Sequence, residues 1–428
     1  MFSAFAQAFR TPDLRRKLLF TLFIMAVFRL GTYIPTPGVD SVEVQRCLAN
    51  NDSASLLDLV NLFSGGALLQ LSIFALGIMP YITASIIIQL LRVVIPRFDD
   101  LYKEGQTGQA KLTQYTRYLT IGLGILQSTT TISLARSGNL ISGCNDIIAN
   151  KSVTMFLIMI VVMTAGTAVI MWLGELITER GIGNGMSLLI FTSIIARMPS
   201  QLGSIGQAGG WGKVALIIGL ILLVAVAVVY VEQAQRRIPV QYAKRMVGRR
   251  MYGGSSTYIP LKINMSGVIP VIFASSLLAL PPLVAQFDQT AGWAQWIGSH
   301  FNHQSAIYLA IYSVLILFFA FFYTSITFNP DEVADNMKRY GGFVPGYRAG
   351  RPTAEYLRFV INRITSAGAI YLVVIALLPS LAMIPMHLSS SQMPFGGTTL
   401  LIVVGVGLQT VKEINTQLQQ HHYEGFLR

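Results

Sequence analysis

Ile82 and Ile272 hold the same place in a nine-residue phrase that occurs twice, as Gly77-Ile-Met-Pro80-Tyr-Ile82-Thr-Ala84-Ser85 and as Gly267-Val-Ile-Pro270-Val-Ile272-Phe-Ala274-Ser275. Ile190 and Ile402 match in a second echo, Gly185-Met-Ser187-Leu-Leu-Ile190 against Gly397-Thr-Thr399-Leu-Leu-Ile402. Ile78 and Met186 precede Ile82 and Ile190 by four residues, one turn away on the same helix face. Branched aliphatic and thioether side chains bind no ion and pass no proton. Gathered in a ring they exclude water, and such a collar closes by dewetting yet yields to objects of varied size and charge. Any one of the six alone reads as a packing residue. It is the repetition of Ile82 as Ile272 and of Ile190 as Ile402 in both halves of the chain that points to a shared level.

Other chemistries find little support. Ion-coupled transport needs Asp, Glu, His or Lys in mid-span, whereas Arg29, Arg136, Arg197, Glu175 and Glu232 all sit near span ends. There is no His-Glu-x-x-His pair, aspartate dyad or serine elbow for intramembrane proteolysis. His421-His422 reads as two solvated residues in a tail rather than a metal site. Gly181-Ile-Gly183-Asn-Gly185 lacks a preceding strand and reads as the end of one helix and the start of the next, not as a phosphate loop. No enzyme, metal or cofactor is expected.

The elements that must position the isoleucines are membrane spans. The 428 residues are 53% hydrophobic and 12% charged, with a mean hydropathy of +0.57, too apolar for a soluble domain of this size. Apolar runs able to cross a bilayer fall near 18–34, 73–95, 118–136, 153–174, 185–203, 213–234, 264–284, 307–328, 364–386 and 395–411. The repeated phrases then lie in spans 2 and 7 and in spans 5 and 10. A duplication of five spans forces the halves to cross the membrane in opposite senses, which makes an inverted repeat. The expected fold is therefore all-α, ten transmembrane helices in two inverted halves. The halves are 1–198 and 213–411, joined by a glycine-rich hinge linker at 199–212 and followed by a tail at 412–428.

Charge sets the orientation. Of 31 Lys and Arg, all but Arg29, Arg46, Arg136, Lys151, Arg197 and Lys213 lie on one face, which makes the termini and long loops cytoplasmic. The basic start and first apolar run continue into Pro35-Thr36-Pro37-Gly38 without a small-residue cleavage site, so an uncleaved first span is expected. Cys47 and Cys144 fall in outer-face loops, where they either pair or remain free thiols. Gly65-Gly66 interrupts the run before span 2 and leaves a short re-entrant helix around 63–71. The connections at 236–262 and 329–363 are much too long to be simple turns and mix basic with aromatic residues. With a net charge of +12, they read as a docking surface for RNA, acidic protein or anionic lipid. On these residues a polymer pore, an inverted-repeat secondary transporter of a small solute and a membrane scaffold all remain open.

Several motifs narrow the choice. Pro35-Thr-Pro-Gly38, Phe63-Ser-Gly-Gly-Ala67, Ser72-Ile-Phe-Ala-Leu-Gly-Ile-Met-Pro-Tyr-Ile82, Lys103-Glu-Gly105, Gln114-Tyr-Thr-Arg-Tyr118, Gly181-Ile-Gly-Asn-Gly185, Tyr242-Ala-Lys-Arg245 and Gly341-Gly-Phe-Val-Pro-Gly-Tyr-Arg348 resemble the SecY family of protein-conducting channels, over roughly residues 10–425. The resemblance implies a clamshell around a central hourglass pore, serving the general secretory pathway in the plasma (inner) membrane. It implies a pore ring of Ile78, Ile82, Met186, Ile190, Ile272 and Ile402. It implies a plug helix at about 61–72 carrying Phe63, Ser64, Gly65, Gly66, Ala67 and Leu68. A lateral gate would run between spans 2 and 3 and spans 7 and 8, with Thr83, Gln127 and Ser276 at its seam. Partner docking would fall on Lys244, Arg245, Arg249, Arg250 and Arg348. The implied partners are the small membrane subunits SecE and SecG, the SecA ATPase, the ribosome through its RNA, signal peptides, nascent chains and anionic lipids.

Overall fold

A computed structural model describes residues 9–50, 64–138, 147–148, 152–242, 245–247, 250–252, 256–285, 291–301, 305–386 and 397–424. Each of the ten predicted spans falls on a helix. Those of the first half are α1 (Pro12–Gly31), α3 (Met79–Val94), α5 (Gln106–Arg136), α6 (Val153–Arg180) and α7 (Gly185–Gly209). Those of the second are α8 (Trp211–Gln233), α9 (Ile269–Ala285), α11 (Ala306–Thr327), α13 (Arg351–Met386) and α14 (Gly397–Glu424). Shorter helices α2 (Ser41–Asn50), α4 (Pro96–Lys103), α10 (Gly292–His300) and α12 (Pro330–Arg339) cap the ends of the bundle.

By length and composition, Val153–Arg180, Val214–Gln233, Ala306–Arg339 and Arg351–Leu378 are each able to cross a membrane, and α3 with α4 forms a fifth such unit bent by 101°. Of the other predicted spans, α1 carries Arg15, Arg16, Lys17 and Arg29 within its 20 residues, and α5 is rich in hydroxyls, with Thr116, Thr120, Ser128 and Thr130 buried. Those hydroxyls return to the carbonyl of the preceding turn in their own helix, so the bundle buries them without an unmet donor.

The duplication is visible in how the helices pack. In the first half α3 packs on α5, α5 on α6, α6 on α7, and α1 on α7; in the second, α9 packs on α11, α11 on α13, α13 on α14, and α8 on α14. The two sets correspond helix for helix. The halves meet along one edge where α3 packs on α9, and elsewhere through α7 with α8, α7 with α14 and α1 with α14. Lipid tails are as apolar as leucine, so close backbone approach rather than hydrophobic burial must hold such helices together. Gly185 shows it: a Cβ there would lie 1.8 Å from the Gly174 carbonyl oxygen of α6.

Two expectations need correction, and one feature adds to the all-α fold expected. Residues 199–209 form the last turns of α7 instead of a hinge linker, and α8 begins at Trp211. Glycine only weakens a helix, and here Gly206 lets α7 sit against Val214 and Trp211. The whole connection reduces to Gly210, whose φ of +84° suits a residue without a side chain. Residues 64–71 are successive turns instead of a helix, and Ser72 bridges to Pro35. Gly65 and Gly66 both have positive φ, and their geometry breaks any helical run. Finally, the helical fold carries a small sheet. The connection at 236–262 is a hairpin of β1 (Gln235–Tyr242) and β4 (Ser256–Lys262), with β2 (Arg245–Val247) and β3 (Arg250–Tyr252) paired at its tip. Strand β5 (Gly342–Phe343), from the other connection, adds to β1 in the order β4-β1-β5. Ile238, Val240 and Leu261 of the sheet share a second apolar core with Met337 of α12 and Leu357, Val360 and Ile361 of α13. The two predicted protrusions are thus one rigid unit.

Candidate functional site

Both copies of the repeated phrase fold alike. Gly77 and Gly267 adopt φ of +56° and +62°, and each is followed two residues later by a helix start, at Met79 and Ile269. Pro80 and Pro270 occupy the second residue of those helices, where a missing N–H costs nothing. The second echo behaves the same way, since Gly185 and Gly397 are each the first residue of their helices. Ile82 and Ile272 are then 7% exposed, Ile190 2% and Ile402 0%. All four, with Ile78, belong to the continuous apolar core that runs through the helices of both halves. Met186 is half-buried at the cluster's margin. Its thioether lies over Gly174 of α6, whose missing side chain leaves a slot that the flexible sulfur chain fills.

The segment 64–71 packs into the same apolar core. Leu68 and Leu71 join the same cluster, and Ser64 and Ala67 are fully buried; Phe63 lies outside the described residues. Gly65 sits against Ser193 of α7 and Gly66 against the Arg197 guanidinium, with added Cβ atoms reaching each at 3.3 Å. Ser193 is three residues beyond Ile190, or about 4.5 Å along the helix axis, so Gly65 meets α7 about one turn past Ile190. Arg29 of α1 donates from Nη1 to the Gly65 carbonyl at 2.8 Å and from Nη2 to the Tyr33 hydroxyl at 2.7 Å. The segment is also tied at its exit, where Thr36 N donates to Leu71 O and Ile73 N to Ile34 O. Leu71 has a φ of +45°, a conformation that costs a branched residue about 1–2 kcal/mol. These two arginines read in the sequence only as span-end charges, because nothing in their spacing foretells that they meet Gly65-Gly66.

Thr83 on α3 and Ser276 on α9 occupy the two helices that meet between the halves, and Gln127 lies on α5, next to α3. The Thr83 hydroxyl donates to Met79 O and that of Ser276 to Ile272 O, each within its own helix. Among the described residues no side-chain hydrogen bond joins α3 to α9. At the foot of α9, Asn264 donates from Nδ2 to both Glu232 of α8 and the Gly267 carbonyl, while Ser266 donates to Asn264 Oδ1. Asn264 therefore pins the start of α9 to the end of α8, a role its place in a loop did not advertise. Burial and then Lys262 hold the nearby Lys412 ammonium below its usual pKa, while Glu232 opposes them.

Arg348 lies exposed at the tip of the loop between β5 and α13. The loop is stiff. Gly346 and Gly350 take φ of +89° and +101°, the Arg348 carbonyl accepts from the Thr353 hydroxyl at 2.8 Å, and Tyr347 stacks on Tyr356 at 4.1 Å. Arg245 and Arg250 lie on β2 and β3 at the hairpin tip, while Lys244 and Arg249 lie outside the described residues. Cys47 is disulfide-bonded; Cys144, the other cysteine of the chain, lies outside the described residues.

Comparison with known proteins bears on this arrangement. The SecY family model matches residues 72–411. The chain is 62% identical, over 100% of both chains, to a protein translocase subunit SecY of Streptomyces scabiei. It is 56% identical, again over 100% of both, to the protein of that name from Mycobacterium tuberculosis. Among solved structures, one described as the structure of a protein conducting channel superposes with a TM-score of 0.62 at 18% identity, covering 94% of this chain and 91% of that one. The canine Sec61 in a ribosome-channel complex superposes with a TM-score of 0.59 at 17% identity, over the same shares.

Proposed function

From the premise that this chain belongs to the SecY family, we propose that it passes unfolded polypeptides between its two halves and releases apolar segments sideways between α3 and α9. The chain is a multi-pass membrane protein of a protein-conducting channel family, and not an enzyme. The carrying observation is that Ile82 and Ile272, and likewise Ile190 and Ile402, are buried in one apolar core on helix pairs that pack across the junction of the halves, α3 with α9 and α7 with α14. Ile78, Ile82, Ile190, Ile272 and Ile402 form the constriction, with Met186 at its edge. The collar excludes water at rest and parts around a chain of any sequence. The segment 64–71 is the plug that covers it, held by Arg29 and flanked by Arg197.

Sideways release follows from the nature of the seam. Because no side-chain hydrogen bond joins α3 to α9 among the described residues, a signal segment that parts them has none to break. Thr83, Gln127 and Ser276 line that route. The sheet and the Arg348 loop form the docking platform, with Lys244, Arg245, Arg249 and Arg250 at the hairpin tip. Their basic and aromatic character supports a ribosome through its RNA and the SecA motor as partners, and it supports anionic lipid beside them. SecE and SecG are the expected small subunits beside the helices. The charge distribution supports a plasma-membrane protein with both termini cytoplasmic.

The experiment places a photoreactive residue at Thr83 or Ser276 in the assembled translocase and presents a stalled secretory chain. Crosslinks to the signal segment from both positions are expected. Crosslinks only to later parts of the chain, or to none, would show that the seam is not the exit.

Arg29 supplies a separate prediction. Arg29→Ala removes a charged hydrogen bond worth about 1.5–3 kcal/mol to the plug segment, so resting ion conductance should rise. Arg29→Lys should restore it only in part, because a single ammonium cannot reproduce the two-pronged contact with Gly65 O and Tyr33. A wild-type resting conductance in Arg29→Ala would free the segment from this hold.

A further inference from the structure

Helix α10 joins the far end of α9 to the start of α11, at the opposite end of α9 from the basic sheet. It presents three different sides. Ala294 is buried, and Phe301, just past the helix, packs on the central core. Gly292, Gln295 and Gly298 are exposed and polar or small. Trp293 and Trp296, spaced by three residues on a third side, are 49% and 51% exposed. Trp296 is braced by stacking on His300 at 4.9 Å and by an edge contact with Phe301 at 6.5 Å. Neither Lys, Arg, Asp nor Glu occurs in 291–301. Two half-exposed indoles side by side are a liability in water. At the boundary between lipid headgroups and acyl chains they are in the place that indoles prefer.

The neighbours put that boundary there. Val284, next to the last residue of α9, and Ile307, the second of α11, are exposed apolar residues at either end of the connection. The indole side thus continues an apolar skirt that the spans already show to lipid. We propose that α10 is an interfacial anchor whose Trp293 and Trp296 insert into the headgroup and acyl boundary of the leaflet opposite the basic loops. The partner is the phospholipid interface itself. Because α10 packs on α9, the anchor ties one wall of the proposed lateral gate to the membrane surface, so that movement of α9 drags α10 along the lipid. The inference rests on the chain being a membrane channel, and not on the collar, the plug or the docking platform.

The test uses the full translocase carrying Trp172→Phe and Trp211→Phe, two lipid-side or exposed positions, so that only the α10 indoles report among this chain's tryptophans. Its fluorescence is read in phosphatidylethanolamine and phosphatidylglycerol vesicles that contain lipid brominated near the glycerol backbone or near the chain end, against tryptophan-free partner subunits. Emission should be blue-shifted, lose most of its intensity with shallow bromines, less with deep ones, and little with aqueous iodide. Quenching by iodide without quenching by bromolipid would mean that the face meets water. Quenching by neither would mean that a protein covers it. Both results overturn the proposal, whatever becomes of the gate crosslinks. A nitroxide attached at Trp296→Cys, in a chain that keeps the other tryptophans, repeats the reading should the Phe variants fail to accumulate. Oxygen should broaden its spectrum more than a water-soluble nickel chelate, and the reverse order would also overturn the proposal.

Discussion

Replacing Ile402 with Asn is expected to make the resting channel leak ions and accept substrates with defective signal segments. Ile402 is completely buried in the collar cluster, and an amide in its place finds no partner among isoleucines. Leaving such a group unsatisfied costs about 1–3 kcal/mol in the closed arrangement, whereas the wet arrangement hydrates it. A shift of that size raises the open population roughly 5–150-fold. Ile402→Val, which keeps the surface apolar and costs only about 0.5–1.5 kcal/mol, should stay close to wild type. Planar-bilayer conductance with a transport assay on a crippled signal checks both. Unchanged conductance in Ile402→Asn would remove this residue from the seal.

Reversing Arg348 to Glu is expected to abolish motor-driven export while leaving membrane insertion and thermal stability intact. The side chain is exposed, and the loop's shape depends on Gly346, Gly350, the Thr353 hydroxyl and the Tyr347–Tyr356 stack. None of these uses the guanidinium, so the fold has no reason to notice the change. A partner that pairs with it loses a docked charge and meets repulsion, costing about 2–5 kcal/mol, or roughly 30-fold or more in affinity. ATP-driven translocation into vesicles, beside a melting curve of the same preparation, separates the two readouts. Normal export would remove Arg348 from the docking platform; lost export with a lowered melting temperature would assign it a structural role.

Membrane periodicity and internal repetition made most of the architecture legible. A span must show a long apolar run whatever its neighbours do, and a duplicated phrase keeps Gly and Pro where the backbone needs them. Gly77 and Gly267 share the same unusual φ for that reason, and Ile82 and Ile272 end equally buried. What stayed hidden depends on partners distant in sequence. The run 199–212 looks like a hinge until the fold shows α7 continuing through it to Gly209. The sheet is invisible because β5 contributes only Gly342 and Phe343, too few residues to carry an alternating pattern. Arg29 reads as an interfacial charge because the Gly65 carbonyl that it grips lies 36 residues away. Met186 shares its helix face with Ile190, yet Gly174 on the next helix offers its sulfur a better seat.

The most direct test places single cysteines at Ile82, Ile190, Ile272 and Ile402 and stalls in the translocase a secretory chain carrying one cysteine at successive positions. If the four side chains pinch the passage at a common level, one and the same narrow window of substrate positions should form disulfides with all four. Windows displaced from one another by many residues, or no bond to one half of the molecule, would contradict a shared constriction between the halves.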